Sequence, residues 1–445
     1  MPDVISSTKK LLKNKGFSFI GNLMILGVFI WLKFSSMQEI QRIFGSLTLT
    51  ARNLLPFFIF GLPIIFGNKL VNRIVFIIFI SIFFVGETLI RMGFLNNLAI
   101  TAWDKSNFYR YPKPYVEFLG KPNTSIFFSP YQKMGGTKND ANINLNDLGF
   151  RGELPSKAKG GEFRIIVLGG STVFNGIPLS KSIPGELEQL FHNDGFSKVK
   201  VYNWGVVSFN SGQELSVLVH YASDFDPNLV IVYDGANDVY HSFAFENRPG
   251  YPYNWRSYET GLKLIRDGPD ISQIVNILLL KSRLITSVFG ESLRNRIVEA
   301  KQPTSTSSKE INNVISATTN TYTNNIKKMC SFSNGNNFKF IALLQPMLIF
   351  KSPITDNEKK LLGSDDLQSY IKKNYQLLGN DYNNLESSQK KGNNCYYADL
   401  SKIFMGYDKE IYWDIVHTNN DGNKYIASQI YNTIKGNFDS LGLKK

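Results

Sequence analysis

From Glu162 onward the chain repeats a two-part pattern that restricts the folds open to it. Short apolar runs of strand type stand at Phe163–Leu168, Val199–Asn203, Leu229–Tyr233, Phe338–Leu344 and Tyr396–Leu400. Amphipathic stretches of helical period stand at Ile183–Asn193, Ser211–Ser223, Lys309–Cys330, Asp365–Ser388 and Asp421–Lys435. Runs that are apolar without alternation belong to strands buried on both faces. Helices that cross back over a parallel sheet supply that burial. The expectation is an α/β domain with a parallel sheet, helices on both faces, and a ligand site at the carboxyl ends of the strands.

The pattern breaks in an insertion at about 240–308. Tyr251, Tyr253, Trp255 and Tyr258 cluster there beside prolines, and an apolar helix, Ile271–Leu280, follows. The insertion starts just past a strand's carboxyl end. It is either a rim or lid over the site, or an excursion that packs on the membrane or on its own domain.

The first 95 residues have a different character. Lys9, Lys10, Lys13 and Lys15 precede an apolar run, Phe17–Leu32, with no small-x-small cleavage site after it. It reads as a retained transmembrane helix rather than a signal peptide. A second run, about Leu47–Phe66, is interrupted by Arg52, Pro56 and Pro63, and the third and most apolar runs from about Leu70 to Ile90. Residues 1–95 carry ten Lys/Arg against three Asp/Glu, more than half of the net charge of +13. That excess reads as membrane orientation. With three spans, the lysine cluster and the Lys69/Arg73 turn both face the cytoplasm, and the large domain lies on the outer face. With two spans the domain faces the cytoplasm. Residues 96–150 read as a connector that packs on the α/β domain with little regular structure of its own, and 151–440 as that domain.

Four stretches carry candidate chemistry, each at a strand's carboxyl end or in a loop beside one. Gly169-Gly170-Ser171-Thr172 ends the first strand, and Ser171 is a candidate nucleophile in a turn that glycine permits. Asn203-Trp204-Gly205 offers a bare backbone N–H at Gly205. Asp234-Gly235-Ala236-Asn237-Asp238 offers the Asn237 amide. Trp413-Asp414-Ile415-Val416-His417 ends the set. A serine hydroxyl needs a base to take its proton, and an imidazole, which titrates near neutrality, can do so from His417. Asp414, three residues earlier, can hold the other ring nitrogen. The Ser171 N–H, the Gly205 N–H and the Asn237 amide together suit an oxyanion. His241 and Gln345 are possible pocket residues, with His241 the second candidate base. His192 and His220 fall on helices as structural or surface residues.

The order Ser171, Gly205, Asn237, Asp414-x-x-His417 resembles the SGNH (GDSL-type) hydrolase superfamily, with an NxxGFRG-like lead-in at Asn144–Gly152. The resemblance covers about Asn144–Lys435. It departs at Gly170, where the family often has Asp. It implies a flavodoxin-like three-layer sandwich with a five-stranded parallel sheet, preceded here by an α-helical transmembrane region, and it implies ester hydrolysis or acyl transfer.

Zinc-type Cys/His spacing is absent, as is a basic stripe interleaved with stacking aromatics, so no metal, cofactor or nucleic acid is expected. Cys330 and Cys395 are the two cysteines, either bridged or free. The resulting expectation is a multi-pass serine esterase or acyltransferase of the cytoplasmic membrane. Its partners would be the bilayer and an acylated substrate, with O-acetyl esters of an envelope or exported glycan preferred. The alternatives are a lipid esterase or lysophospholipase, and a non-catalytic glycan-binding or scaffold protein.

Overall fold

The structure is a computed structural model that describes residues 81, 83–89, 111–127, 142–245, 247–282, 285–286, 308–388 and 394–443. The first two expected membrane spans lie outside these residues. Of the third, only 81 and 83–89 are described, and they are helical. Among the described residues no helix is long and apolar enough to cross a membrane. The chain divides into two compact units: residues 1–101 with 270–294, and 102–269 with 295–445.

The second unit begins with four short strands in two antiparallel pairs, β1 (Tyr111–Lys113) with β2 (Glu117–Leu119), and β3 (Ser125–Phe127) with β4 (Asn142–Asn144). This corrects the expectation of an irregular connector. Strands of three residues are too short to leave a period-two signal. Val116, Phe118, Leu119 and Ile143 nevertheless dock into apolar cores.

The elements that follow are β5 (Phe163–Gly169), α1 (Ser171–Phe174), α2 (Ile183–Asn193), β6 (Val199–Gly205), α3 (Ser211–His220), β7 (Leu229–Asp234), α4 (Ala236–Ala244) and α5 (Trp255–Asp267). In the first unit α6 (Ile271–Leu280) is the described part of the insertion's apolar helix, and Ser282 Oγ donates to Glu87 Oε2 at 2.9 Å beside it. The α/β unit resumes with α7 (Ser308–Gly335), β8 (Lys339–Leu344), α8 (Asp356–Lys359), α9 (Asp365–Ser387), β9 (Cys395–Asp399) and α10 (Asn420–Lys435).

All five long strands pair in parallel in the order β6-β5-β7-β8-β9. Side chains alternate between the two faces of a strand. Ile166, Leu168, Val230 and Val232 pack with Val217 of α3, Tyr322 and Ile326 of α7, and Ile371 of α9. Ile165, Val167, Ile231 and Ile341 pack with Leu187 and Phe191 of α2 and Ile426 and Ile430 of α10. The expected three-layer α/β sandwich with a five-stranded parallel sheet is what the chain forms. Cys330 on α7 and Cys395 on β9 form a disulfide. The strand order reverses at β5, which sets a crevice at its carboxyl end between β6 and β7.

Candidate active site

β5 runs straight into α1, a single helical turn that starts with Ser171. Four contacts from distant elements fix this turn. Arg151 Nη1 donates to Phe174 O at 2.5 Å and Asn203 Nδ2 to Val173 O at 2.8 Å. Thr172 Oγ1 donates to Gln345 Oε1 at 3.1 Å, and Asn175 Nδ2 to Thr418 O at 2.6 Å. The lead-in thus acquires a physical role. Asn146 Oδ1 accepts the N–H groups of Leu148, Gly149 and Phe150, each at 3.1 Å, and curls the chain. Phe150 then stacks on Trp204 and the buried Arg151 reaches the serine turn.

The histidine comes from the tight loop before α10. Tyr412 and Thr418 bridge across it, and Trp413 N donates to His417 O at 3.2 Å. Asp414 closes the loop from inside. Its Oδ1 accepts the N–H of Val416 at 2.8 Å and of His417 at 2.7 Å, which leaves Oδ2 for the ring. His417 Nδ1 stands 2.7 Å from Asp414 Oδ2, and His417 Nε2 stands 2.7 Å from Ser171 Oγ. A carboxylate can only accept, so Nδ1 carries the hydrogen and Nε2 accepts from the serine hydroxyl. Burial works against charge on Asp414, but the attraction of His417 and the bonds it receives hold its pKa below the ordinary value. The Trp413 ring lies flat on the imidazole, with centroids 4.5 Å apart and planes 11° apart.

Asn237, in the first turn of α4, faces the serine turn from β7. A Cβ at Gly170 would stand 2.4 Å from Asn237 Nδ2, so the amide packs directly on the Gly170 backbone. Asn237 Nδ2 also donates to Phe209 O at 2.6 Å, in the loop that follows β6.

Residues 179–430 match the family model for GDSL-like lipase/acylhydrolase, beginning just after Ser171. The chain belongs to the GDSL-like lipase/acylhydrolase family. It is accordingly a serine hydrolase. Solved structures similar to this family member include the acetyl xylan esterase AlAXEase, at 12% identity and a TM-score of 0.35, covering 61% of this chain and 99% of that one. Another is a catalytic mutant of the acetylxylan esterase Axe2 from Geobacillus stearothermophilus, at 11% identity and a TM-score of 0.35, with 63% and 96% covered. A GDSL-like lipase from Bacteroides thetaiotaomicron is similar at 13% identity and a TM-score of 0.32, with 63% and 92% covered. No curated protein matches the sequence.

Within this GDSL-type site the structure brings Ser171, Asp414, His417 and Asn237 together, and sets Gln345 behind Thr172. Gly205 is placed differently from the expectation. Its N–H is taken by Asn203 Oδ1 at 3.2 Å, and a Cβ there would stand 2.5 Å from Phe174 N, so it lies packed beneath α1. The loop residue that turns outward is Ser208, at φ +66°, with no partner on its N–H among the described residues. Only glycine would have flagged that conformation in the sequence. His241 is not the base. It is buried on α4 against Phe245 and Tyr253, and burial lowers its pKa to about 3. Beneath the Asn237 turn, the carboxyls of Glu214, Asp234 and Asp238 are all buried, and Asp238 accepts from Ser211 N at 2.9 Å and Ser211 Oγ at 2.6 Å. Burial, reinforced by repulsion from neighbouring carboxyls, pushes Glu214 and Asp234 well above the usual carboxyl range.

Proposed function

We propose that this chain is a membrane-anchored esterase or acyltransferase in which Ser171, His417 and Asp414 form a catalytic triad acting on acyl esters, O-acetyl groups foremost, of an envelope or exported glycan. The observation that carries the catalytic part is the unbroken line Ser171 Oγ to His417 Nε2 to Asp414 Oδ2, with both contacts at 2.7 Å. His417 takes the Ser171 proton as Oγ bonds to the ester carbonyl carbon. The imidazolium is held by ionised Asp414. The carbonyl oxygen, now an oxyanion, takes hydrogen bonds from the Ser171 N–H, the Asn237 amide and the N–H of the loop after β6. Collapse breaks the bond to the alkoxy oxygen, which leaves with the proton from His417. Water, or an acceptor hydroxyl, then repeats the sequence on the acyl-enzyme.

Three features support the location. Apolar runs and basic clusters fill residues 1–95. The Cys330–Cys395 disulfide fits an oxidising compartment. The helix α6 leaves Ile271 81% and Leu278 63% exposed, as suits a lipid-facing surface. A reporter fused after Lys445 should be active outside the cytoplasm, and activity confined to the cytoplasm would refute the three-span topology. For the chemistry, fluorophosphonate should label Ser171, and turnover should be compared on aryl acetate, acetylated glycan and lysophospholipid. Turnover on lysophospholipid alone would replace the glycan reading with a lipid one. Absence of both labelling and turnover would leave a binding protein.

A further inference from the structure

A cleft of about 520 Å³ opens in the same α/β unit, between the tip of the β1–β2 hairpin, the start of α3 and the residues that lead into α5. Its lining is aromatic and polar, with Tyr115, Trp255 and Tyr258 set among Glu117, Gln213 and Ser216. The rings are presented as platforms. Trp255 and Tyr258 stack with centroids 5.9 Å apart, and Tyr115, 71% exposed, is backed by His220 at 3.9 Å.

Both walls are rigidly built. Tyr115 and Glu117 hold φ of 68° and 74°, a conformation that costs a non-glycine residue on the order of 1 kcal/mol or more and persists only where its surroundings enforce it. Here Gln213 Nε2 donates to Val116 O at 3.3 Å and Glu117 Oε2 at 3.1 Å, and Tyr221 OH donates to Pro114 O at 2.9 Å. On the other wall Asn210 Nδ2 donates to Gly250 O at 3.3 Å and Tyr251 O at 3.1 Å. Asn210 adjoins Phe209, whose carbonyl holds Asn237, so the cleft and the serine site share one loop.

We propose that this cleft binds pyranose units of the glycan whose ester the serine site takes, an inference that rests on the glycan reading above. Pyranose rings present C–H faces that lie on aromatic platforms, and hydroxyls that need the amide, hydroxyl and carboxylate groups found between those platforms. The apolar aliphatic side chains of the lining are Val116, itself buried, and Pro252, too few to line a channel for an acyl chain. The volume is in the range of small-ligand sites.

The test uses full-length protein in detergent with acetylated xylohexaose, acetylated chitohexaose and 4-nitrophenyl acetate. Trp255→Ala should raise KM for the accepted hexaose at least tenfold, with kcat for it and both constants for 4-nitrophenyl acetate unchanged. Ser216→Arg, which fills the cleft from α3, should do the same and guards against misfolding of the first variant. Hexaose KM unchanged in both variants would overturn the cleft while leaving the glycan reading intact. Turnover of aryl acetate without turnover of any glycan would overturn the glycan reading, and the cleft proposal with it. Binding of a proline-rich peptide that hexaose does not displace would also overturn it.

Discussion

Lys351 and Glu358 form a fully buried ion pair, Nζ to Oε2 at 2.6 Å, and the same carboxylate carries the loop that presents Asp414 and His417. Glu358 Oε1 accepts the N–H of Ile411 at 3.0 Å and of Tyr412 at 3.1 Å. Burial opposes the charge on Glu358, but Lys351 and these backbone donors hold its pKa below the ordinary value. Its stabilising contribution is therefore present above the unfolded carboxyl pKa of about 4.3 and disappears as pH falls through the folded value. Glu358→Gln should cost about 3–5 kcal/mol at pH 7, since it leaves Lys351 buried without its counter-charge. Urea unfolding at pH 7 and pH 3.5 should show the gap between the two proteins narrowing in acid. A gap independent of pH would mean that the carboxylate charge is not what holds the loop.

The contacts among Ser171, His417 and Asp414 lead to a non-additive pattern. Ser171→Ala and His417→Ala should each reduce kcat by several powers of ten, and the double variant should be hardly worse, because a triad acts as a unit. Asp414→Asn should cost less than either. Steady-state kinetics on an aryl acetate decide it, and losses that multiply would mean the residues act independently.

Asn237 and Gly205 should separate into different kinds of defect. Asn237→Ala should lower kcat by roughly a hundredfold with little change in stability, as loss of an oxyanion donor does. Gly205→Ala should instead destabilise the fold by about 1–3 kcal/mol, because its Cβ would press on Phe174 N and Val173 Cβ. Thermal melts beside kinetics distinguish the two. A Gly205→Ala protein of normal stability would mean that packing beneath α1 is not what requires glycine there.

Much of this was legible in the chain. The five strands lie within two residues of where apolar runs put them, because buried parallel strands leave apolar signals. The helices α2, α9 and α10 match as closely, whereas α3 ends three residues before its expected end and α7 runs five residues past it. Ser171, Asn237, Asp414 and His417 were legible because each closes a strand or opens a turn in a short motif. Arg151, Glu358 and Ser208 were not. Their roles depend on which carbonyl or N–H the fold brings to them across the chain, and no local spacing encodes that. The hairpins before Asn144 escaped for want of length, and His241 looked available only because a helical position does not state its burial.

Asp234 and Glu214 predict the opposite pH dependence from Glu358. Their pKa values are raised, so the folded state holds protons that the unfolded chain has released. Stability is full below the unfolded carboxyl pKa of about 4 and declines as pH climbs toward the raised values. Asp234→Asn should flatten that decline on the neutral and alkaline side. Denaturant midpoints from pH 5 to pH 9 will test it, and identical slopes in the two proteins would show that Asp234 does not carry the effect.

The flat contact between Trp413 and His417 has a spectroscopic consequence. An excited indole is quenched by an imidazolium beside it far more than by a neutral imidazole. The chain holds five tryptophans, but this one lies face to face with His417. The emission difference between the native protein and Trp413→Phe is thus an unlabelled optical gauge of the proton on that ring. It can be followed through a titration, or within a single turnover.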